Sequence, residues 1–447
     1  MFNRRTFLAT SSAAALASCS GLDLRPTAPP SFVSREGTQL LRGLAPYRIV
    51  GANMWYAAWL GANADYGNRA RLTRELDRLA GLGVNNLRIM ASGEEGPLKS
   101  SIKPGFTRED GTPNPVLFEG LDFALAEMGK RGMTAVLVLS NFWEWSGGLQ
   151  TLLWRATGKY TDMGDPAHPW PEFADATAEF YANPRAVALY HGHVTNLLTR
   201  TNSITGIPYA EDDTVMSWQL ANEPRPGGSE AAIQRNLQAY FGWIEKTAAL
   251  IRSKAPRQLV SLGQEGTQAT NGNEAIVARA HRDVDYVTAH IWPLNWSWVA
   301  GDDLAGTWAN GKKLTEQYLG IHEDIAAGLN KPLLIEEFGF PRDGEASSPA
   351  ATTEFREQFY RTIYDDVETS WRQAGPIMGS NFWAWNGEAR AAHSDARFRP
   401  GDLVYMGDPP HEPQGWYGNF DSDAAMADVI RKHAAMDCVG IDGKCLT

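Results

Sequence analysis

Two short segments place carboxylates where carboxylates are costly. "VMSWQLANEPRPG" starts as an apolar run and ends in Asn222-Glu223-Pro224. "PLLIEEFG" does the same and ends in Glu336-Glu337-Phe338-Gly339. A carboxylate delivered by an apolar run is expensive to bury unless it is paired or has a task. A single such acid reads most simply as a buried group paired with an arginine or a backbone N–H. Two acids that meet in one pocket can share a reaction. One, kept protonated, donates to a leaving oxygen; the other, kept ionised, attacks carbon, and their environments must hold the two pKa values apart. With tryptophan faces nearby, that pattern points to cleavage of a glycosidic bond. Arg88, in "NNLRIMA", could hold one acid ionised, and Asn222 could grip a ring hydroxyl. Strand alternation predicts that only one of Glu336 and Glu337 faces inward, without saying which.

Those acids need a frame. Eight short β-branched or aromatic runs recur along the chain: "YRIVGAN", "NNLRIMA", "TAVLVLSNFW", "TVMSWQLANE", "QLVSLGQEG", "VDYVTAHIW", "PLLIEEFG" and "GSNFWAW". Helical patterns lie between them. Leu72, Leu76, Leu79 and Leu82 share one face, as do Ile233, Leu237, Phe241 and Ile244. Phe355, Phe359, Ile363, Val367 and Trp371 step by four. Strands alternating with helices imply parallel pairing through crossovers. The fold class is therefore α/β, and a single closed (β/α)8 TIM barrel with long loops at its C-terminal face is expected. The rival, an open doubly wound sheet, usually shows a Gly-rich turn after its first strand, and "GANMWYAAWLG" is not one. On such a barrel the site lies at the C-terminal strand ends. Polar residues collect there: Asn53, Arg88, Asn141, Asn222, Glu223, Glu265, His290, Glu336, Glu337 and Asn386.

"QLANEPR" and "LIEEFG" resemble the acid/base and nucleophile motifs of glycoside hydrolase family 5. "LSNFWEWSGG", "HIWPLNW" and "GSNFWAW" are similar to its β-mannanase and β-mannosidase branch, and the likeness spans all eight strand ends. The resemblance implies Glu223 as general acid/base and Glu337, directly before Phe338-Gly339, as nucleophile. It further implies that Arg88 supports the nucleophile, Asn222 binds the sugar 2-hydroxyl and His290 shapes the reacting subsite. Trp383 would be the platform under the reacting sugar, with Asn141 and Trp143 lining the groove. Many relatives carry His-x-Tyr at the sixth strand where this chain has His290-Ile291-Trp292. An indole N–H donates but cannot accept, so Trp292 is expected to act as a binding wall. The implied activity is retaining cleavage of β-1,4-mannosidic bonds. A β-glucanase of the same family and a sugar-binding protein without activity are the rival readings.

The bulk numbers set the partners. The net charge of −11 argues against nucleic acid and anionic membrane surfaces. Sixteen tryptophans exceed what a core of this size usually needs and suit the flat faces of sugars. No cofactor or metal is expected, because the chemistry needs none and the nine histidines, His191 and His193 included, form no ligand cluster by spacing. The expected partner is β-mannan or a manno-oligosaccharide, and the protein is expected to be a monomer. "NRRTFLATSSAAALASC" reads as a twin-arginine signal over residues 1–18 that ends in a lipoprotein box, with Cys19 lipidated. A Pro-rich tether is expected over 19–34 and the catalytic domain over 35–447, exported to the periplasm or outer membrane. Cys438 and Cys445 are expected to staple the C-terminal end. After the eighth strand, residues 386–421 form a long aromatic loop, expected to wall off one end of the groove and make the enzyme exo-acting; the alternative is a packed lid that leaves the groove open, and so an endo-β-1,4-mannanase.

Overall fold

The computed structural model describes residues 31–437. The signal segment, Cys19, most of the tether, Cys438 and Cys445 lie outside the described residues. Eight strands form one parallel sheet: β1 (Ile49–Asn53), β2 (Asn86–Met90), β3 (Thr134–Val138) and β4 (Val215–Gln219) come first. β5 (Leu259–Ser261), β6 (Val287–Ile291), β7 (Leu333–Phe338) and β8 (Ile377–Phe382) complete it. Their spatial order is 5-4-3-2-1-8-7-6. The chain closes the ring between β5 and β6 through Asp285 N–H to Val260 O (2.8 Å) and His290 N–H to Glu265 O (3.0 Å). This is the expected (β/α)8 barrel, and closure leaves no open sheet edge.

One main helix follows each strand: α1 (Arg69–Gly81), α2 (Pro115–Lys130), α3 (Pro184–Leu198), α4 (Glu230–Lys254), α5 (Glu274–Ala280), α6 (Leu304–Leu329), α7 (Glu354–Gln373) and α8 (Ala424–Met436). Their starts are written in the sequence. Asn68, Asn114, Asn183, Ser229, Asn273 and Asp303 each cap a helix by accepting an amide of its first turn. In α1 the leucine stripe is buried as spaced. In α4 it is not: Ile233 and Ile244 are buried, but Leu237 and Phe241 are half-buried and Tyr240 and Trp243 take the core-facing positions. Aromatic rings reach the core from the neighbouring helical positions, so the observed stripe is rotated from the aliphatic one.

The folded chain begins earlier than expected. Val33–Glu36 pairs with Gln39–Arg42 in a small antiparallel sheet, and Val33 and Leu40 join the apolar plug at the bottom of the barrel. Residues 31–34 therefore belong to the catalytic unit and not to a tether. Among the described residues no helix is long and apolar enough to cross a membrane.

Candidate active site

The geometry of β7 settles how two adjacent acids are presented. Ile335 pairs with Ala289, but Glu337 pairs with His290, so Glu336 is an extra residue in the ladder. The bulge shifts the strand's phase. Leu334 and Glu336 face the interior, as alternation requires. Glu337 then faces the interior as well, and Phe338 turns outward onto Tyr360 of α7, their ring centroids 4.8 Å apart. The expectation that only one of the two glutamates points inward is thus wrong, and the bulge is the reason. Asn53 Nδ2 donates to the bulged residue's carbonyl at 2.8 Å and fixes the distortion. Glu336 stays low in the barrel, accepting from Gln219 Nε2 (2.5 Å) and Tyr286 OH (3.1 Å). Burial pushes its carboxyl up, so it is a buried structural acid.

Glu337 sits one layer higher and pairs with Arg88. The Arg88 guanidinium is fully engaged. Its Nε donates to Gln219 (2.8 Å), and its two terminal nitrogens reach Asn53 (3.1 Å) and Asn222 (2.7 Å). Asn222 in turn donates to Asn141 at 3.0 Å, and Asn141 donates to Ser146 at 3.1 Å. Asn141 is fully buried behind Asn222 and so orients it without lining the groove, contrary to expectation. Such satisfaction is what lets a charge stand inside a barrel.

Glu223 does not close β4; that strand ends at Gln219. It lies beyond it in a left-handed conformation with φ 49°, held by its N–H to Gly263 O (2.8 Å). A non-glycine residue there stores strain of about 1–3 kcal/mol, which the surrounding bonds must over-determine. Its Oε1 receives His290 Nδ1 at 2.6 Å and its Oε2 receives the indole N–H of Trp143. His290 Nδ1 also lies 3.3 Å from Glu337 Oε2. The ligating atoms of Glu223, His290 and Glu337 fall within 4.8 Å of one another. So close an approach is in keeping with the roughly 5–5.5 Å carboxyl separation of a double displacement. Burial alone would raise the Glu223 pKa. The His290 imidazolium, Arg225 and the Trp143 N–H outweigh it and hold the group near 2. Burial likewise opposes charge on His290, and the carboxylates of Glu337 and Glu223 overcome it and push it to about 10. The two carboxylates thus favour the protonated form of the imidazole between them.

Over these acids opens a cavity of about 320 Å³, small for a ligand site. Trp143, Asn222, Glu223, Trp292, Glu337 and Trp383 line it. Trp292 meets Trp383 edge to face at 5.9 Å and Tyr417 at 5.0 Å, forming a wall; Gly339 is required beneath it, since a Cβ there would lie 2.4 Å from the indole. His290 and Arg88 lie just below the cavity floor. Several lining residues were not singled out as binding groups from sequence: Trp145, Met163, Trp170, Arg225, Glu265, Asn295, Trp296, Pro409, His411 and Glu412. Arg225 pairs with Glu265, whose carboxyl burial pushes to about 8, and Arg225 was visible only as the residue after Asn-Glu-Pro. Asn386 is not in the site. It donates to Asp408 (3.1 Å) and accepts from Gly407 N–H (2.7 Å), anchoring the loop after β8.

A barrel whose rim carries two close carboxylates and an aromatic-walled pocket defines a retaining glycoside hydrolase. A family model described as "GH family 5 beta-mannosidase-like" matches residues 30–438. A putative mannan endo-1,4-beta-mannosidase 9 of rice is 31% identical over 79% of this chain and 81% of its own. The glycoside hydrolase family 5 mannosidase of Rhizomucor miehei superposes with a TM-score of 0.82 at 33% identity, covering 92% of this chain and 98% of its own. A mutant of that mannosidase, in complex with mannosyl-fructose, superposes with a TM-score of 0.80 at 33% identity, over 91% of this chain and 97% of its own. The chain belongs to glycoside hydrolase family 5.

Proposed function

We propose that this protein hydrolyses β-1,4-mannosidic bonds of manno-oligosaccharides from chain ends, with Glu337 as nucleophile and Glu223 as acid/base. The mannosidase and mannan endo-mannosidase relatives support the sugar; the pocket supports the mode. The carrying observation is that Pro409, His411 and Glu412, from the loop after β8, line the same cavity as Trp383 and Glu337. This loop is not slack. The Asp408 carboxylate accepts the N–H groups of Gly415 (2.8 Å), Tyr417 (2.7 Å) and Gly418 (3.1 Å) as well as Asn386. A fixed wall across a small cavity leaves space for a terminal sugar. Glu412 Oε2 and Trp383 Nε1 are buried without a partner among the described residues, and both belong to lining residues that a sugar hydroxyl could satisfy.

In the first step Glu337 attacks the anomeric carbon and the leaving oxygen takes a proton. As Glu337 spends its charge, the field that holds the proton on His290 weakens. The proton can then pass across the 2.6 Å bond to Glu223 and on to the leaving oxygen. In the second step Glu223 takes a proton from the water that attacks the anomeric carbon, the glycosyl bond to Glu337 breaks, and the proton returns from Glu223 to His290 as Glu337 regains its charge. Arg88 and Asn222 hold the nucleophile and the 2-hydroxyl. Export and lipid anchoring through Cys19 are part of this reading, supported by the twin arginines and Leu-Ala-Ser-Cys. Loss of palmitate labelling in Cys19→Ser checks them.

The deciding experiment is a product time course on mannohexaose labelled at its reducing end. Stepwise loss of one or two units is the expected result. Internal cuts from the earliest time would make the enzyme an endo-mannanase, and preference for cellohexaose would overturn the sugar assignment.

A further inference from the structure

Of the sixteen tryptophans only Trp170 is exposed, at 52%, and it stands at the mouth of the catalytic cavity beside Met163, 37% exposed. A line of stacked groups connects it to the acid. Glu223 accepts the Trp143 indole N–H; the Arg225 guanidinium lies 5.2 Å from the Trp143 ring and 5.4 Å from that of Trp170; the two rings are 6.3 Å apart at 30°. The acid must face the leaving oxygen, so this line runs outward along the side from which the leaving group departs. His411 and Glu412, from the loop after β8, line the same cavity, and His411 Nδ1 lies 3.9 Å from Glu144 Oε1, beside Trp143.

Resting on the reading of this site as a mannosidase, we propose that Trp170 and Met163 form a shelf for the sugar ring of the leaving group. The substrate class would then be oligosaccharides with a sugar aglycone, in preference to mannosides of small alcohols. The shelf is built rigidly. Asp162, next to Met163, accepts the N–H groups of Lys99 (2.7 Å) and Gly164 (2.9 Å) and the Tyr160 hydroxyl (3.0 Å). Asp175, in the short helix Glu172–Thr177 that follows Trp170, accepts Gly228 N–H and Ser229 N–H, both at 2.8 Å. Those two bonds bolt the shelf to the segment that follows Glu223. An apolar ring fixed in water at a pocket mouth gains by covering the flat face of a pyranose.

The test compares mannotriose with β-mannosyl fluoride, whose leaving group has no ring. In Trp170→Ala, kcat/KM for mannotriose should fall about tenfold further than for the fluoride, through KM, with the pH profile of kcat unchanged. Trp170→Phe should restore most of the difference, and Met163→Ala should show a smaller loss of the same kind. Equal losses on the two substrates, or a loss in kcat with a displaced pH profile, would overturn the shelf and leave Trp170 as packing for Arg225. If the wild-type enzyme prefers β-glucosides, the sugar assignment fails, and the same ratio measured with cellotriose and β-glucosyl fluoride still decides the shelf.

Discussion

The lower and upper halves of the barrel interior are built by the same strands and hold opposite chemistry. Below, Tyr47, Ile49, Val136, Met216, Leu259, Leu334 and Met378 form an apolar plug with Val33 and Leu40 of the N-terminal sheet. Above, Arg88, Gln219, Asn222, Glu223, His290, Glu336 and Glu337 form one hydrogen-bonded network. Tyr286 marks the seam: its ring belongs to the plug and its hydroxyl donates to Glu336. The plug needs only shape and volume. The network depends on polar atoms finding counterparts, His290 Nε2 being left without one among the described residues, and it places charge where catalysis uses it. Side chains of the lower half should therefore govern stability, and those of the upper half rate.

The largest test of that division is Glu337→Gln, which should lower kcat by ~10⁴-fold or more while the fold is retained, as read by steady-state kinetics alongside circular dichroism. Glu223→Gln should cost ~10²–10⁴-fold on mannotriose. It should cost far less on an activated dinitrophenyl mannoside, which needs no acid. Met216→Ala attacks the plug and should remove about 2–5 kcal/mol of stability by urea titration with the pH profile of kcat intact. A displaced profile there would break the comparison.

Acid and base should probe the network. His290 is held up, so its contribution is complete below its unfolded value near 6.5 and is lost as pH rises towards about 10. Glu223 is held down, so its contribution is present above its unfolded value near 4.5 and is lost as pH falls towards about 2. Melting curves of His290→Gln should accordingly lose part of the slope that the wild type shows between pH 7 and 10. The smallest effect is expected at the wall. Glu412→Ala should reduce kcat/KM on mannobiose about tenfold and let internal cuts appear in mannohexaose digests.

The sequence already spelled out much of this. Eight apolar runs became the eight strands, and Glu223, Glu337, Arg88, Asn222, His290, Trp143, Trp292 and Trp383 are gathered at one rim. What stayed hidden depends on pairing across the chain. Periodicity assumes an unbroken strand, so it could not see that Glu336 is an extra residue opposite β6. It could not see that Asn141 stands behind Asn222, since both are strand-end asparagines. Nor could it single out Asp408 within the loop, because a carboxylate that gathers amides from residues 415, 417 and 418 looks like any loop aspartate until the chain is folded. Trp170 was one aromatic among many, distinguished only by exposure.

The bulge in β7 has a meaning for anyone moving this chemistry to another scaffold. The nucleophile's position is encoded as a slip of phase between two strands and not by its side chain alone. Grafting Glu337 onto a regular strand at the same height would aim it at the helices. A regular strand would offer either Glu336 or Glu337 to the interior and lose the stacked pair. The portable unit is thus the Glu336-Glu337 insertion together with its two supports, Asn53 on β1 and His290 on β6. A designer who copied residues without copying the slip would reproduce the composition of the site and none of its geometry.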